Sequence, residues 1–201
     1  MENILNHLKS AIILLILFTL LTGFIYPALV TGIAQLFFPW QANGSLIKDN
    51  DKTIGSVLIG QSFSDVKYFW SRPSATTPFP YNPENSSGSN LGPSNPALLA
   101  AVKERVIHLH NADPSNNSPI PVDLVTASAS GLDPDISPMA AIYQVHRIAL
   151  ARGIPEQDIL NLIQGLMIEP GLGIFGKPRV NVLQLNMALD KFASATTSPK
   201  K

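Results

Sequence analysis

Residues Ala11–Phe38 read AIILLILFTLLTGFIYPALVTGIAQLFF, and no Asp, Glu, Lys or Arg occurs between Lys9 and Lys48. A bilayer core is about 30 Å thick, so roughly 20 apolar residues cross it as a helix, and a longer run crosses with some tilt. The stretch therefore predicts a transmembrane helix over 11–38, preceded by a short tail, 1–10. A cleaved signal peptide is the other reading, since Lys9 precedes the run and Gly32-Ile33-Ala34 supplies small residues. A signal h-region spans about 7–15 residues, however, and this run continues past that length without a polar break.

The flanks suggest an orientation. Lys9 and the α-amino group stand against Glu2 on one side, and Phe38 to Ile47 carries no positive charge on the other. Retention of positive charge in the cytoplasm places the N-terminus there and the remainder of the chain outside the membrane, with a single pass. The chain has no cysteine, which suits an exported domain that cannot mispair thiols.

Residues 39–54 read as a linker. The 55–195 segment is long enough for one soluble domain with its own core, followed by a flexible tail, 196–201. With 14 basic and 14 acidic residues the chain is formally neutral, so no broad field gathers nucleic acid. Eleven of the seventeen prolines cluster at 73–96 and 114–138, marking fixed irregular connections.

Gly55–Phe63 reads as a strand, with Tyr68 and Phe69 candidates for another. The Pro-, Gly-, Ser- and Asn-rich stretch from Ser71 to Asn95 has the composition of a linker, but Phe79, Tyr81 and Leu91 give it side chains to bury, which favours an ordered loop. Asn95-Pro96 opens a helix with Leu98, Leu99, Val102, Val106 and Leu109 at helical spacing. Ser137-Pro138 opens a second, stopped by Gly153, and Pro155 a third. Asn181 caps a last one carrying Leu185, Leu189 and Phe192. The fold class expected is α+β, a helix-rich single soluble domain behind one N-terminal transmembrane helix.

Three local matches carry little chemistry. Asp51-Lys52-Thr53-Ile54-Gly55 approximates the phosphorylated-aspartate signature of P-type pumps, but the glycine is displaced and the chain has no room for the nucleotide machinery. Gly171–Lys177, GLGIFGK, satisfies a phosphate-loop pattern in the wrong context, after a helix and before Pro178, and reads as a turn between packed helices. His108 and His110 stand two apart on a helix and His146 has no nearby ligand, so no metal site is expected. No catalytic residue is assigned.

The stretches that match no generic motif do match a family. Gly60-Gln61, Tyr68-Phe69, Arg72-Pro73-Ser74-Ala75, Tyr81-Asn82, Ser87–Pro96 (SGSNLGPSNP), Val125–Ser137 (VTASASGLDPDIS), Gln144, Arg147, Arg152 and Val180–Asp190 (VNVLQLNMALD) occur in the order found in the C subunits of Kdp potassium-transporting ATPases. The chain resembles that family along the anchor and nearly all the domain. One departure is Ala129, where the family commonly has glycine, at a turn whose φ alanine would restrict.

The resemblance implies an accessory subunit of the bacterial inner membrane that does no chemistry itself. It implies two partners, a potassium-binding channel-like subunit and a P-type ATP-hydrolysing subunit. It also implies ATP as a ligand, in a chaperone role that raises nucleotide affinity, with Ser128, Ser130, Gly131 and Gln144 as the contacts. ATP contact conflicts with an extracytoplasmic domain. In that topology the Ser71–Asn95 loop is instead a docking surface, with Arg72, Tyr81, Asn90 and Leu91 as anchors. Thr19, Gly23, Pro27 and Thr31 form a stripe of compact residues on which another transmembrane helix packs, unless the stripe faces lipid. Pro27 is expected to kink the helix. A different class of function stays open as well: an anchored extracytoplasmic hydrolase with its site in the proline-rich loop.

Overall fold

The computed structural model describes residues 2–49 and 51–197. The chain divides into two compact units, Met1–Ile54 and Gly55–Lys201.

The first unit is dominated by an apolar helix long enough to cross a membrane, Asn3–Phe37. It consists of α1 (Glu2–Leu20), one wide π-turn (Leu21–Ile25) and α2 (Tyr26–Phe37). Helix begins at Glu2, so residues 2–10 are helical and continuous with the apolar run. The π-turn directly precedes Pro27, whose ring and missing N–H disturb the preceding turn of a regular helix, and a wide turn accommodates both. It also changes which residues share a face. Thr19 and Thr31 are twelve positions apart, which a uniform helix offsets by about 120°; a wide turn absorbs one residue and leaves about 20°. The compact stripe is therefore sharper than its spacing suggests.

The 39–54 segment is structured. Phe38 breaks the helix, α3 (Pro39–Ala42) follows, and β1 (Leu46–Asp49) precedes β2 (Lys52–Ser56), with which it forms a two-stranded sheet. The Asn43 amide exchanges hydrogen bonds with Gln35 and donates to the Pro39 carbonyl, while the Trp40 indole donates to the Leu46 carbonyl at 3.0 Å. Asp51, at φ +63, occupies the turn.

The second unit holds α4 (Pro96–Ala112), β3 (Asp135–Ile136), α5 (Pro138–Tyr143), α6 (Val145–Arg152), α7 (Glu156–Leu166), β4 (Met167–Ile168), β5 (Arg179–Asn181) and α8 (Val182–Thr197). The caps act as the sequence expects: Asn95 accepts from Ala97 N, Ser137 from Ala140 N and Asn181 from Gln184 N, and Gly153 ends α6 at φ +64. The expected second helix is two, because Gln144 departs from helical geometry and separates α5 from α6.

β5 is the centre of an antiparallel sheet of order β3-β5-β4, with Ile136 and Met167 both opposite Val180. α5, α7 and α8 all pack against β5. Between them lies a core of Phe69, Ile136, Ile148, Ile159, Val180, Val182, Leu185 and Leu189, each at most 2% exposed.

Two expectations are corrected. Gly55–Phe63 is not a strand: β2 ends at Ser56 and turns follow. Tyr68-Phe69 forms no ladder either. Of the expected tail, residues 196 and 197 belong to α8, and 198–201 lie outside the described residues.

Candidate functional site

Residues 66–70 lead from an exposed turn at Val66 and Lys67 into the core at Phe69 and Trp70 without a neighbouring strand, so their backbone groups need other partners. Side chains supply them. Asn186 on α8 accepts from Phe69 N at 2.8 Å and donates to Phe69 O at 3.0 Å. Gln144 accepts from Trp70 N at 2.7 Å and donates to the carbonyls of Trp70 and Ala140, each at 3.1 Å. Both amides act as one rung of a β-ladder, and both residues are at most 2% exposed.

Arg147 completes this clamp. Its guanidinium donates to the Val66 and Tyr68 carbonyls and to Gln144 Oε1, and lies 4.0 Å from the centroid of the Trp70 ring. Burial pulls its pKa down to about 10, which leaves it charged at neutral pH. Arg152 donates to the Lys67 carbonyl and pairs with Asp190, which also accepts from the Tyr68 hydroxyl. The His108 ring also stacks on Trp70, with centroids 4.7 Å apart.

The proline-rich loop leaves this clamp and is held against residues 127–133. Arg72 pairs with Asp133 at 2.9 Å, Ser74 Oγ donates to Gly131 O at 2.7 Å, and Ser86 Oγ donates to Ser130 O at 3.0 Å. Tyr81, in the left-handed region at φ +59, turns its ring inward and donates its hydroxyl to the Arg72 carbonyl. Thr76, Tyr81 and Asn82 are buried, whereas Phe79, expected to bury itself, is 54% exposed. The loop is ordered because its polar side chains and the buried Tyr81, not Phe79, tie it down.

These contacts relocate the sequence candidates. Ser128, Ser130 and Arg72 do converge, on an open depression of about 560 Å³ also lined by Leu58, Ala129, Leu132, Asp133 and Pro134. Within it Ser128 Oγ accepts from Gly131 N and Ser130 Oγ from Leu132 N. Gln144 is elsewhere, in the core. Gly131, at φ +69, is the left-handed residue of this turn, and Ala129 is not, which explains how alanine stands there. Arg72 and Tyr81 face the domain itself. Asn90, at φ +52, is exposed and Leu91 half-buried.

Burial raises the Tyr81 hydroxyl to about 12, with the Asp133 carboxylate adding to the effect. The unfolded chain ionises Tyr81 from about pH 10 and the folded chain only from about 12, so its contribution is complete below 10 and is lost as pH rises through that window. Unfolding in detergent at pH 8 and 11 is expected to differ by about 1.4 kcal/mol through this group, and Tyr81→Phe removes that share of the slope.

Asp133, Arg147, Asn186 and Asp190 were not assigned roles from the sequence. Arg147 stands three residues beyond Gln144, a spacing that lets the two side chains meet, and that pairing is the signal the sequence offers.

Comparison with known proteins decides the family. The family model described as "KdpC: K+-transporting ATPase, c chain" matches residues 8–191. The chain belongs to the KdpC family. Relatives named potassium-transporting ATPase KdpC subunit include one from Methylococcus capsulatus, 57% identical over 92% of this chain and 97% of its own length. Another, from Herpetosiphon aurantiacus, is 59% identical over 92% and 96%. A third, from Variovorax paradoxus, is 55% identical over 94% and 98%. The KdpC match spans the apolar helix, the clamp on residues 66–70, the Ser128–Pro134 turn and most of α8.

Proposed function

We propose that this chain is a non-catalytic accessory subunit of a potassium-transporting ATPase, anchored by its N-terminal helix in the bacterial inner membrane. Its helix docks beside a potassium-binding channel-like subunit, and its soluble domain, outside the cytoplasm, braces the assembly with the ATP-hydrolysing P-type subunit. The observation that carries this reading is the destination of the polar residues in the stretches that resemble the family. Gln144, Arg147, Arg152, Asn186 and Asp190 are spent on holding residues 66–70, and Arg72, Ser74 and Tyr81 on holding the loop. Such a domain is a rigid brace.

Assembly tests it. A Cβ at Gly23 meets nothing of this chain within 4 Å, so Gly23→Leu leaves the subunit itself intact. It is expected to weaken co-purification with the two larger subunits by about tenfold, whereas Leu17→Phe has little effect, because close packing of helices in lipid depends on the small residue. Recovery of the unaltered chain as a lone monomer from native membranes overturns the proposal.

A second reading, contact with ATP to raise nucleotide affinity, has one observation in its favour: the depression where Ser128 and Ser130 stand beside Arg72. Gln144 adds nothing there, since both its amide atoms are bonded within the core. Proteolysis of the domain in spheroplasts, where only the outer face is accessible, excludes this second reading; protection until the cells are opened supports it.

A further inference from the structure

The glycine-rich stretch is a turn between strands, not between helices. β4 and β5 pair, and the chain between them is closed by Gly171 and Phe175, whose backbones exchange two hydrogen bonds of 2.9 Å. Gly173 N donates to Pro170 O as well, and Leu172, Gly173 and Gly176 take left-handed φ values of +53, +76 and +95. The turn is thus internally bonded, yet it buries nothing. Leu172 is 90% exposed, Ile174 76% and Phe175 67%. Three large apolar side chains on four consecutive positions make a protruding apolar patch of the kind that marks a contact.

We propose that this turn inserts into the surface of a lipid bilayer. The same chain carries an apolar helix, Asn3–Phe37, of membrane-spanning length, so a bilayer is at hand. The eighteen residues from Phe38 to Gly55 reach at most about 60 Å, which keeps lipid at high effective concentration around the domain. Between Pro170 and Pro178 the single charge is Lys177, exposed at the base of the tip, where it meets the anionic headgroups that flank an inserted apolar segment; Glu169 stands on the opposite arm. A convex tip of Leu, Ile and Phe needs no matching pocket in fluid lipid.

The inference rests on the anchored reading above, and the experiment separates the two. The chain lacks cysteine, so Ile174→Cys in the full-length subunit gives one labelling site for an environment-sensitive fluorophore, and Gln157→Cys, an exposed polar position on α7, gives the control. Each is reconstituted alone into phosphatidylcholine/phosphatidylglycerol vesicles containing lipids with nitroxide on the acyl chain. Expected are quenching and a blue shift at 174 with neither at 157, and loss of both when Leu172 and Phe175 are changed to serine. Lys177→Gln lowers the ratio of inserted to free tip about fivefold, the equivalent of ~1 kcal/mol for one basic residue at an anionic surface. A chain that fails to float with vesicles refutes the anchor. A chain that floats with an unquenched 174 label overturns this proposal, and so does a label shielded only when the other pump subunits are added, which assigns the tip to a protein pocket.

Discussion

Replacing Arg147 by alanine is expected to destabilise the soluble domain by about 3 kcal/mol, with residues 66–70 released before the rest. The figure is a balance. Three hydrogen bonds from a charged group contribute about 1.5–3 kcal/mol each, less than additively, and the ring contact with Trp70 adds about 2 in a desolvated setting. Against this, the drop of its pKa to about 10 reports a burial cost of roughly 3 kcal/mol that alanine relieves. The bonds win, because alanine also leaves the Val66 and Tyr68 carbonyls unpartnered and a cavity beneath Trp70. Urea unfolding followed by Trp fluorescence measures the loss, and amide exchange shows whether residues 66–70 open first. Gln144→Leu removes bonds from the same network, so the double variant should fall short of the sum of the singles by about 1 kcal/mol. Strict additivity would show that the two side chains do not act as one clamp.

Gly131→Ala is expected to cost about 2–4 kcal/mol, far more than its single methyl group suggests. At φ +69 a Cβ is disfavoured by itself, and here it would lie 2.5 Å from Thr76 Cγ2 and 2.6 Å from Ser87 O. The Thr76 methyl can turn away only by breaking the bonds of its Oγ1 with Phe79 O and Asn82 N, and the Ser87 carbonyl is backbone, so the whole loop must shift. Limited proteolysis is the direct measurement, with cleavage between 71 and 95 rising in the variant. Ala129→Gly, two residues earlier, provides the contrast: it changes stability by at most about 1 kcal/mol, because position 129 needs no left-handed backbone. Equal effects at the two positions would contradict this account of the turn.

The helices were legible because their signals are local. Asn95, Ser137 and Asn181 cap them, prolines start them and apolar residues recur at helical spacing, all within a few positions. The small sheet was not, since strands of two or three residues carry no period to detect and β5 is sandwiched into what reads as a helix start. Nor was the π-turn, which depends on the chain's response to Pro27 rather than on a residue pattern.

By itself the sequence determined the apolar helix, the α+β class and, through ordered motifs covering nearly the whole chain, the KdpC family. Only the tertiary structure decided where the polar residues of those motifs point. Gln144 meets Trp70, 74 residues away, and Asn186 meets Phe69 across 117. In the same way, Tyr81 and Arg72 became internal ties and Leu172, Ile174 and Phe175 an exposed tip. A polar side chain in a sequence looks the same whether it awaits a partner or serves the chain's own backbone. What separates the two is burial, which obliges every donor and acceptor to be met, and burial is created only when distant segments pack together.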